Sequence, residues 1–217
     1  MNRCTGPLSV LVPTNLAAGP LNLSWQQFTQ RYPDIRLNVR TADPDSDMLT
    51  SGADIALRSG KQVNSSLRQS MLGGIRVLLV CAADYPCPPQ TIDELDTHPH
   101  IMADMFSPWQ LCKGTEQVFF DSAAYRSNDL SVVRNIALAG QGIALLPMGQ
   151  AYPDLKTGRL IQVLPQWQAP IREISMVWPY QHSLSARASL FKNELRDYLM
   201  SQPWFEAGDV SADNGLT

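Results

Sequence analysis

The sequence predicts an α/β fold of two lobes facing each other across a ligand cleft, and three observations carry that prediction. The tripeptide Ile-Ala-Leu occurs twice, within residues 52–60 (Gly-Ala-Asp-Ile-Ala-Leu-Arg-Ser-Gly) and within residues 139–147 (Ala-Gly-Gln-Gly-Ile-Ala-Leu-Leu-Pro). Each copy is an apolar run without alternation, entered from a Gly-containing turn. Such runs suit strands covered on both faces, as in a parallel sheet. One copy falls in each half of the chain, and strand-like and helical stretches alternate around it. Loops leaving the carboxyl ends of such strands are where open α/β sheets bind ligands.

The elements follow in order. Residues 8–12 read as the first strand. Gly19-Pro20 then opens a helix with proline in its tolerated first turn, and Leu21, Trp25, Phe28 and Tyr32 recur at helical spacing. Pro33 stops that helix, and residues 35–39 form a second strand. The polar stretch 43–51 predicts a short helix ahead of the strand at 54–57. This β-α-β-α-β order marks a parallel sheet with right-handed crossovers. Residues 75–81 (Ile-Arg-Val-Leu-Leu-Val-Cys) are the most strand-like run. Tyr85-Pro-Cys-Pro-Pro then marks a break and the passage into a second lobe.

That lobe predicts a short helix at 92–95 and strands at 100–103 and 118–120. A further helix carries Leu130, Val133 and Ile136 on one face, with Asn128 placed to cap it. Gly140 ends it. The second Ile-Ala-Leu strand spans 143–146, and another strand 160–164. Residues 173–178 alternate and meet Pro179, a strand that returns to the first lobe. Leu184, Ala188, Phe191, Leu195 and Tyr198 mark the clearest helix, behind Ser183 as its cap. From Ala207 onward the chain is small and polar and reads as a flexible tail. The expected division is therefore 1–81 for the first lobe, 82–172 for the second, 173–206 for the return strand and last helix, and 207–217 for the tail.

Composition narrows the function. A chain of 217 residues with 44% hydrophobic content can bury a core of one large or two small domains. A net charge of -3 and a pI near 5.5, with scattered arginines, argue against a nucleic-acid surface within this stretch. No apolar segment of signal-peptide or membrane-spanning length is present, so cytoplasmic residence and no membrane partner are expected. The four cysteines, Cys4, Cys81, Cys87 and Cys112, show no CxxC pair and no zinc spacing. Cys81 and Cys87 could form a redox pair, but free thiols are the simpler expectation.

Catalytic and cofactor motifs are wanting. Gly140-Gln-Gly follows a helix and precedes a strand, the reverse of a dinucleotide fingerprint. Asp43, Asp45, Asp47 and Asp54 fall at calcium-loop spacing, yet Met48 stands where the turn needs glycine. His98 and His100 flank a proline and read as solvated loop residues. No metal, no cofactor and no catalytic residue is expected. What remains is a set of polar strand exits: Thr14 and Asn15 after the first strand, Arg58 and Ser59 after the third, and Ser127 and Asn128 opening a helix whose amides could receive an anion. Arg58 could grip a carboxylate in two-pronged fashion, or serve as a structural partner of Asp43 or Asp54.

Several segments together carry a family likeness: Gly-Pro-Leu-Ser-Val at 6–10, Phe-Thr-Gln-Arg-Tyr-Pro-Asp-Ile-Arg-Leu at 28–37, the two Ile-Ala-Leu segments, Leu-Lys-Thr-Gly-Arg-Leu-Ile-Gln-Val-Leu-Pro-Gln-Trp at 155–167, and the closing helix from Leu184. Each is weak alone; their order over residues 6–199 is specific. The chain resembles the effector-binding domain of LysR-type transcriptional regulators. That resemblance implies two Rossmann-like lobes joined by two crossover strands (75–81 and 173–178), a type 2 periplasmic-binding-protein-like fold with a ligand cleft between the lobes. It implies a non-enzymatic sensor of a small-molecule effector that controls transcription. It also implies a homodimer or tetramer in which the helix at 21–32 and the strand at 35–39 help form the interface.

By position, the effector-binding candidates are Thr14, Asn15, Asp43, Arg58, Ala82, Ala83, Ser127, Asn128 and Pro147. Two departures from the family pattern stand out. Ala82-Ala83 replaces a usual Ser-Pro and is followed by Asp84, which counts against an anionic effector at that loop. The family's helix-turn-helix would precede Gly6 and is absent from this chain, so an excised regulatory domain or a product lacking its DNA-reading part is expected. The alternatives are a stand-alone solute-binding protein and, less favoured, an enzyme on the same fold.

Overall fold

The computed structural model describes residues 4–42, 51–60, 67–180 and 183–208. Residues 43–50 of the expected short helix, with the candidate Asp43, lie outside them. The chain forms two compact units: residues 1–74 with 172–217, and residues 75–171.

In the first unit, β1 (Gly6–Pro13) lies parallel to β2 (Ile35–Ala42) on one side and to β3 (Ile55–Ser59) on the other. The return strand β12 (Arg172–Pro179) adds antiparallel to β3. Beyond it come β4 (Leu67–Ile75) and the two-residue β13 (Glu206–Ala207), giving the order β13-β4-β12-β3-β1-β2. The first Ile-Ala-Leu is the centre of this sheet, and Ile55, Ala56 and Leu57 are all buried. A short helix α1 (Thr14–Ala17) follows β1, and α2 (Asn22–Arg31) packs on α6 (Ala186–Met200).

The apolar stripes expected on α2 and α6 meet through rings. Trp25 stacks on Phe191 at 5.9 Å and Phe28 meets Phe191 edge-on at 5.2 Å. Polar tips are satisfied around them: Tyr198 Oη donates to the Pro20 carbonyl at 2.8 Å, and Tyr32 Oη to Glu194 at 2.7 Å. Burial first, and then that bond to Glu194, push the Tyr32 hydroxyl up from its ordinary range.

In the second unit, β5 (Val77–Ala82), β6 (His100–Ala103), β9 (Tyr125–Ser127), β10 (Ile143–Pro147) and β11 (Leu160–Gln162) form a sheet of order β11-β5-β10-β6-β9. A separate hairpin pairs β7 (Trp109–Lys113) with β8 (Glu116–Phe120). The helices are α3 (Ile92–Leu95), α4 (Leu130–Leu138) and α5 (Met148–Lys156), with a 3-10 turn at Asp104–Phe106. The second Ile-Ala-Leu lies in β10, where Ile143 and Leu145 join one buried cluster and Ala144 and Leu146 another. A strand covered on both faces has no polar side to alternate, which explains the unbroken run.

Several expectations are corrected. The single strand at 75–81 is two: Ile75 ends β4, Arg76 interrupts, and β5 begins at Val77. The boundary expected after Cys81 falls inside β5, whose partners β10 and β11 both belong to the second unit. Pro20 lies in the turn before α2, which starts at Asn22. The strand expected at 160–164 stops at Gln162, because Leu164 takes a left-handed conformation (φ 47°) and accepts the N–H of Trp167 in a turn. Ser185, not Ser183, caps α6, since it stands directly before the helix and its hydroxyl accepts the N–H of Ala188. Ala207 is not frayed but pairs with Gly73.

His100 is the sharpest correction. It sits in β6 at 4% exposure, with Nδ1 3.0 Å from the Ser122 carbonyl and Nε2 2.9 Å from the Leu95 carbonyl. Its ring lies 4.7 Å from that of Trp109. A histidine pinned by two backbone oxygens is a packing residue, not a solvated one. His98 is held as well, 3.0 Å from Tyr85 Oη.

Candidate functional site

The register of each sheet decides which strand exits share an end. In the first unit Pro13 pairs with Ala42, and Leu11 with Ala56, so β1, β2 and β3 all finish at one end. Thr14 and Asn15 follow β1 there, opening α1; Thr14 is exposed and Asn15 half-buried. Arg58 is the penultimate residue of β3 and is 5% exposed. Its register partner across β12 is Ser175, fully buried, whose hydroxyl accepts from Gln69 Nε2 at 3.0 Å. A guanidinium buried this far must be partnered, which makes Arg58 part of the sheet interior as well as of its edge. Asp54 accepts the backbone N–H of Ser9 at 2.8 Å.

Arg172, which no local pattern picks out, joins the same end. It opens β12, and its guanidinium donates to the Ser59 carbonyl at 3.3 Å. Burial pulls its pKa below the usual arginine range. The guanidinium rests against Gly60, where a Cβ would lie 3.1 Å from Nη2. Gly60 also has a φ of +90°, so a larger residue would be strained there twice over.

In the second unit β6 runs parallel to both β9 and β10, and Ala103 pairs with Ser127. Ser127, Asn128 and Pro147 therefore leave the sheet at one end. Ser127 Oγ accepts the N–H of Asp129 at 3.1 Å, and Asp129 Oδ1 accepts the N–H of Ser131 at 2.7 Å. The cap of α4 is thus Asp129, not Asn128, because Asp129 stands directly before Leu130. A carboxylate already occupies the first-turn amide where an incoming anion was expected. Asn128 is exposed between the two, and Pro147 is buried at the close of β10. The next residue, Met148, donates its N–H to the Arg76 carbonyl at 2.7 Å.

Ala82 and Ala83 do not belong to this group. β5 runs antiparallel to β10, so Pro147 pairs with Val77 at the start of β5 while Ala82 pairs with Leu160 at its far end. At about 3.3 Å per residue, the rise from Val77 to Ala82 spans roughly 17 Å. Ala83 donates its N–H to the Arg159 carbonyl at 3.0 Å. Beside it, the fully buried Asp154 binds Arg134 Nε at 2.5 Å and Arg159 Nη2 through its two oxygens. This end is a structural clasp.

Among the described residues no three His, Cys, Asp or Glu side chains come together as a metal site. The four cysteines are free thiols. Burial pushes the Cys81 thiol up to about 11. Among the described residues no helix is long and apolar enough to cross a membrane.

Comparison with known proteins agrees along most of the chain. The profile of the LysR substrate binding domain matches residues 3–200. The chain is 26% identical to the HTH-type transcriptional regulator YhjC of Escherichia coli K12 over 196 residues, covering 86% of this chain and 66% of that one. Among solved structures it is similar to the full-length Vibrio cholerae virulence activator AphB, a member of the LTTR protein family (TM-score 0.82, 26% identity, 91% of this chain and 70% of that one). It is similar also to the regulatory domain of AphB in Vibrio vulnificus (TM-score 0.77, 27% identity, 89% of this chain and 100% of that one). The chain thus spans about two thirds of the length of the curated relatives it matches.

Proposed function

This chain belongs to the LysR substrate binding domain family, and from that premise we propose that it is the effector-binding and dimerisation domain of a transcriptional regulator. The observation that carries the reading is the family match over nearly the whole chain, with relatives named as HTH-type regulators in which the matching segment is about two thirds of the protein. The effector is a small molecule, and its candidate contacts are Thr14, Asn15 and Arg58 at the strand exits of the first unit, Ser127, Asn128 and Pro147 at those of the second, and Asp43, which lies outside the described residues. The register of β5, which puts Ala82 at the far end from Pro147, supports leaving Ala82 and Ala83 out of this set. The domain acts by population shift: an effector that prefers one arrangement of the protein favours it, and the change is passed to DNA-binding helices carried elsewhere in the full-length, homodimeric, cytoplasmic protein.

Two experiments test this. Reading the coding sequence upstream of Met1 is expected to show an in-frame helix-turn-helix; a secretion signal there overturns the regulatory reading in favour of a transport-type binding protein. Thermal melts against a panel of small carboxylates and aromatic acids are expected to reveal a ligand. At a hundred times its dissociation constant it adds about 2.7 kcal/mol. A hit that stabilises Arg58→Ala equally well removes Arg58 from the site.

A further inference from the structure

Beyond α6 the chain turns back toward its own sheet. Gln202 donates its N–H to the Leu199 carbonyl at 2.9 Å, and Phe205 to the Gln202 carbonyl at 3.2 Å. Trp204 is buried to 6% exposure, and the Phe205 ring meets it edge-on at 6.3 Å. Glu206 and Ala207 then pair antiparallel with Gly74 and Gly73 of β4.

The fit at this contact excludes any side chain at Gly73. A Cβ on Gly73 would lie 2.1 Å from the Glu206 carbonyl oxygen and 2.6 Å from Phe205 Cε1, and Gly73 itself has a φ of +152°. Gly208 closes the contact, with a Cβ there 3.1 Å from the Gly73 Cα. Gly73 and Gly74 are also the last residues of the first unit before the chain enters the second at Ile75. Two consecutive glycines in a strand neighboured by β12 on one side only would otherwise be a permissive point of the backbone. A two-residue strand is too short to persist on its own pairing, so the buried Trp204 has to anchor it.

We propose that residues 202–208 are a strap that pins this glycine pair into the sheet, so that the outgoing connector can change its path only beyond Gly74. The strap converts a swivel into a fixed strand end, and its release is a means of loosening the connector. The inference stands on the contact alone and not on the identity of any effector.

Hydrogen exchange on the ligand-free protein tests it. Removal of residues 202–217 is expected to speed exchange of the amides at 72–77 on the order of tenfold, leaving 8–12 and 143–147 unchanged. Gly73→Ala in the full chain, which forces the strap off its seat, is expected to give the same local rise. Unchanged exchange at 72–77 in both variants overturns the proposal, and so does a rise shared equally by residues 8–12. Loss of cooperative unfolding in either variant overturns it too, because the segment would then be an integral part of the core.

Discussion

The two ends of the sheet in the second unit are built differently. Where Ala82 leaves β5, a fully buried carboxylate holds two arginines from separate segments, and the Ala83 N–H is tied to the backbone of one of them. Nearby, a Cβ on Gly142 would sit 2.2 Å from the Pro99 carbonyl oxygen. Where Ser127 and Pro147 leave the sheet, a hydroxyl and a capping carboxylate each accept a backbone amide, and Asn128 is exposed. One end is over-determined by charge and close packing. The other keeps polar groups at the surface on light restraints, as the proposed effector contacts there require.

The comparison can be broken at the clasp first. Asp154→Asn leaves two part-exposed arginines against a group that no longer carries charge, and urea unfolding is expected to show a loss of about 1.5–3 kcal/mol. A loss of only a few tenths would mean the clasp is decorative. Gly142→Ala, strained by its φ of +155° as well as by Pro99, is expected to cost about 1–3 kcal/mol in the same measurement.

At the opposite end the costs shrink and the functional consequences grow. Asp129→Ala removes the α4 cap and is expected to lower stability by about 1 kcal/mol. Ser127→Ala is expected to move stability by roughly 0.5 kcal/mol while weakening whichever ligand the thermal screen finds. Ala83→Ser adds a hydroxyl at the opposite end and is expected to leave that ligand's affinity unchanged; a change would return the Ala82 end to the site.

At neutral pH the smallest effect is at Cys81. Its thiol is raised from 9.0 to about 11 by burial, so the neutral form stabilises the fold fully below pH 9.0 and that contribution is lost as pH rises through about 11. Cys81→Ala is expected to flatten the fall in stability across that window. In the native protein, alkylation at pH 8 is expected to modify the exposed Cys87 and spare Cys81.

Much of this was legible beforehand. The helical spacing of Trp25, Phe28, Phe191 and Leu195 marked the faces that meet in the first unit, and the unalternating Ile-Ala-Leu runs marked the two central strands. The sequence puts two helix caps too early, Asn128 for Asp129 and Ser183 for Ser185, because neighbouring polar residues compete for one amide and only geometry chooses between them. The helix at Met148–Lys156 was hidden in part by Pro153 within it. The strand at Trp109–Lys113, flanked by Pro108 and Gly114, has only Trp109 and Leu111 as fully buried apolar positions, too few to mark it.

The sequence by itself determined the order of most of the elements, the burial on both faces of the two Ile-Ala-Leu strands, and the family to which the chain belongs. Those properties follow from residue spacing and turn chemistry, which act over a few residues. Only the tertiary structure decided that β5 runs antiparallel to β10, which sends Ala82 and Ala83 away from Pro147. It also decided that Arg172 joins Arg58 at one strand end, that His100 is buried between two carbonyls, and that the segment after α6 closes over Gly73. Strand direction, register and partner choice are set by pairings between residues far apart in the chain, and no local pattern of side chains encodes them.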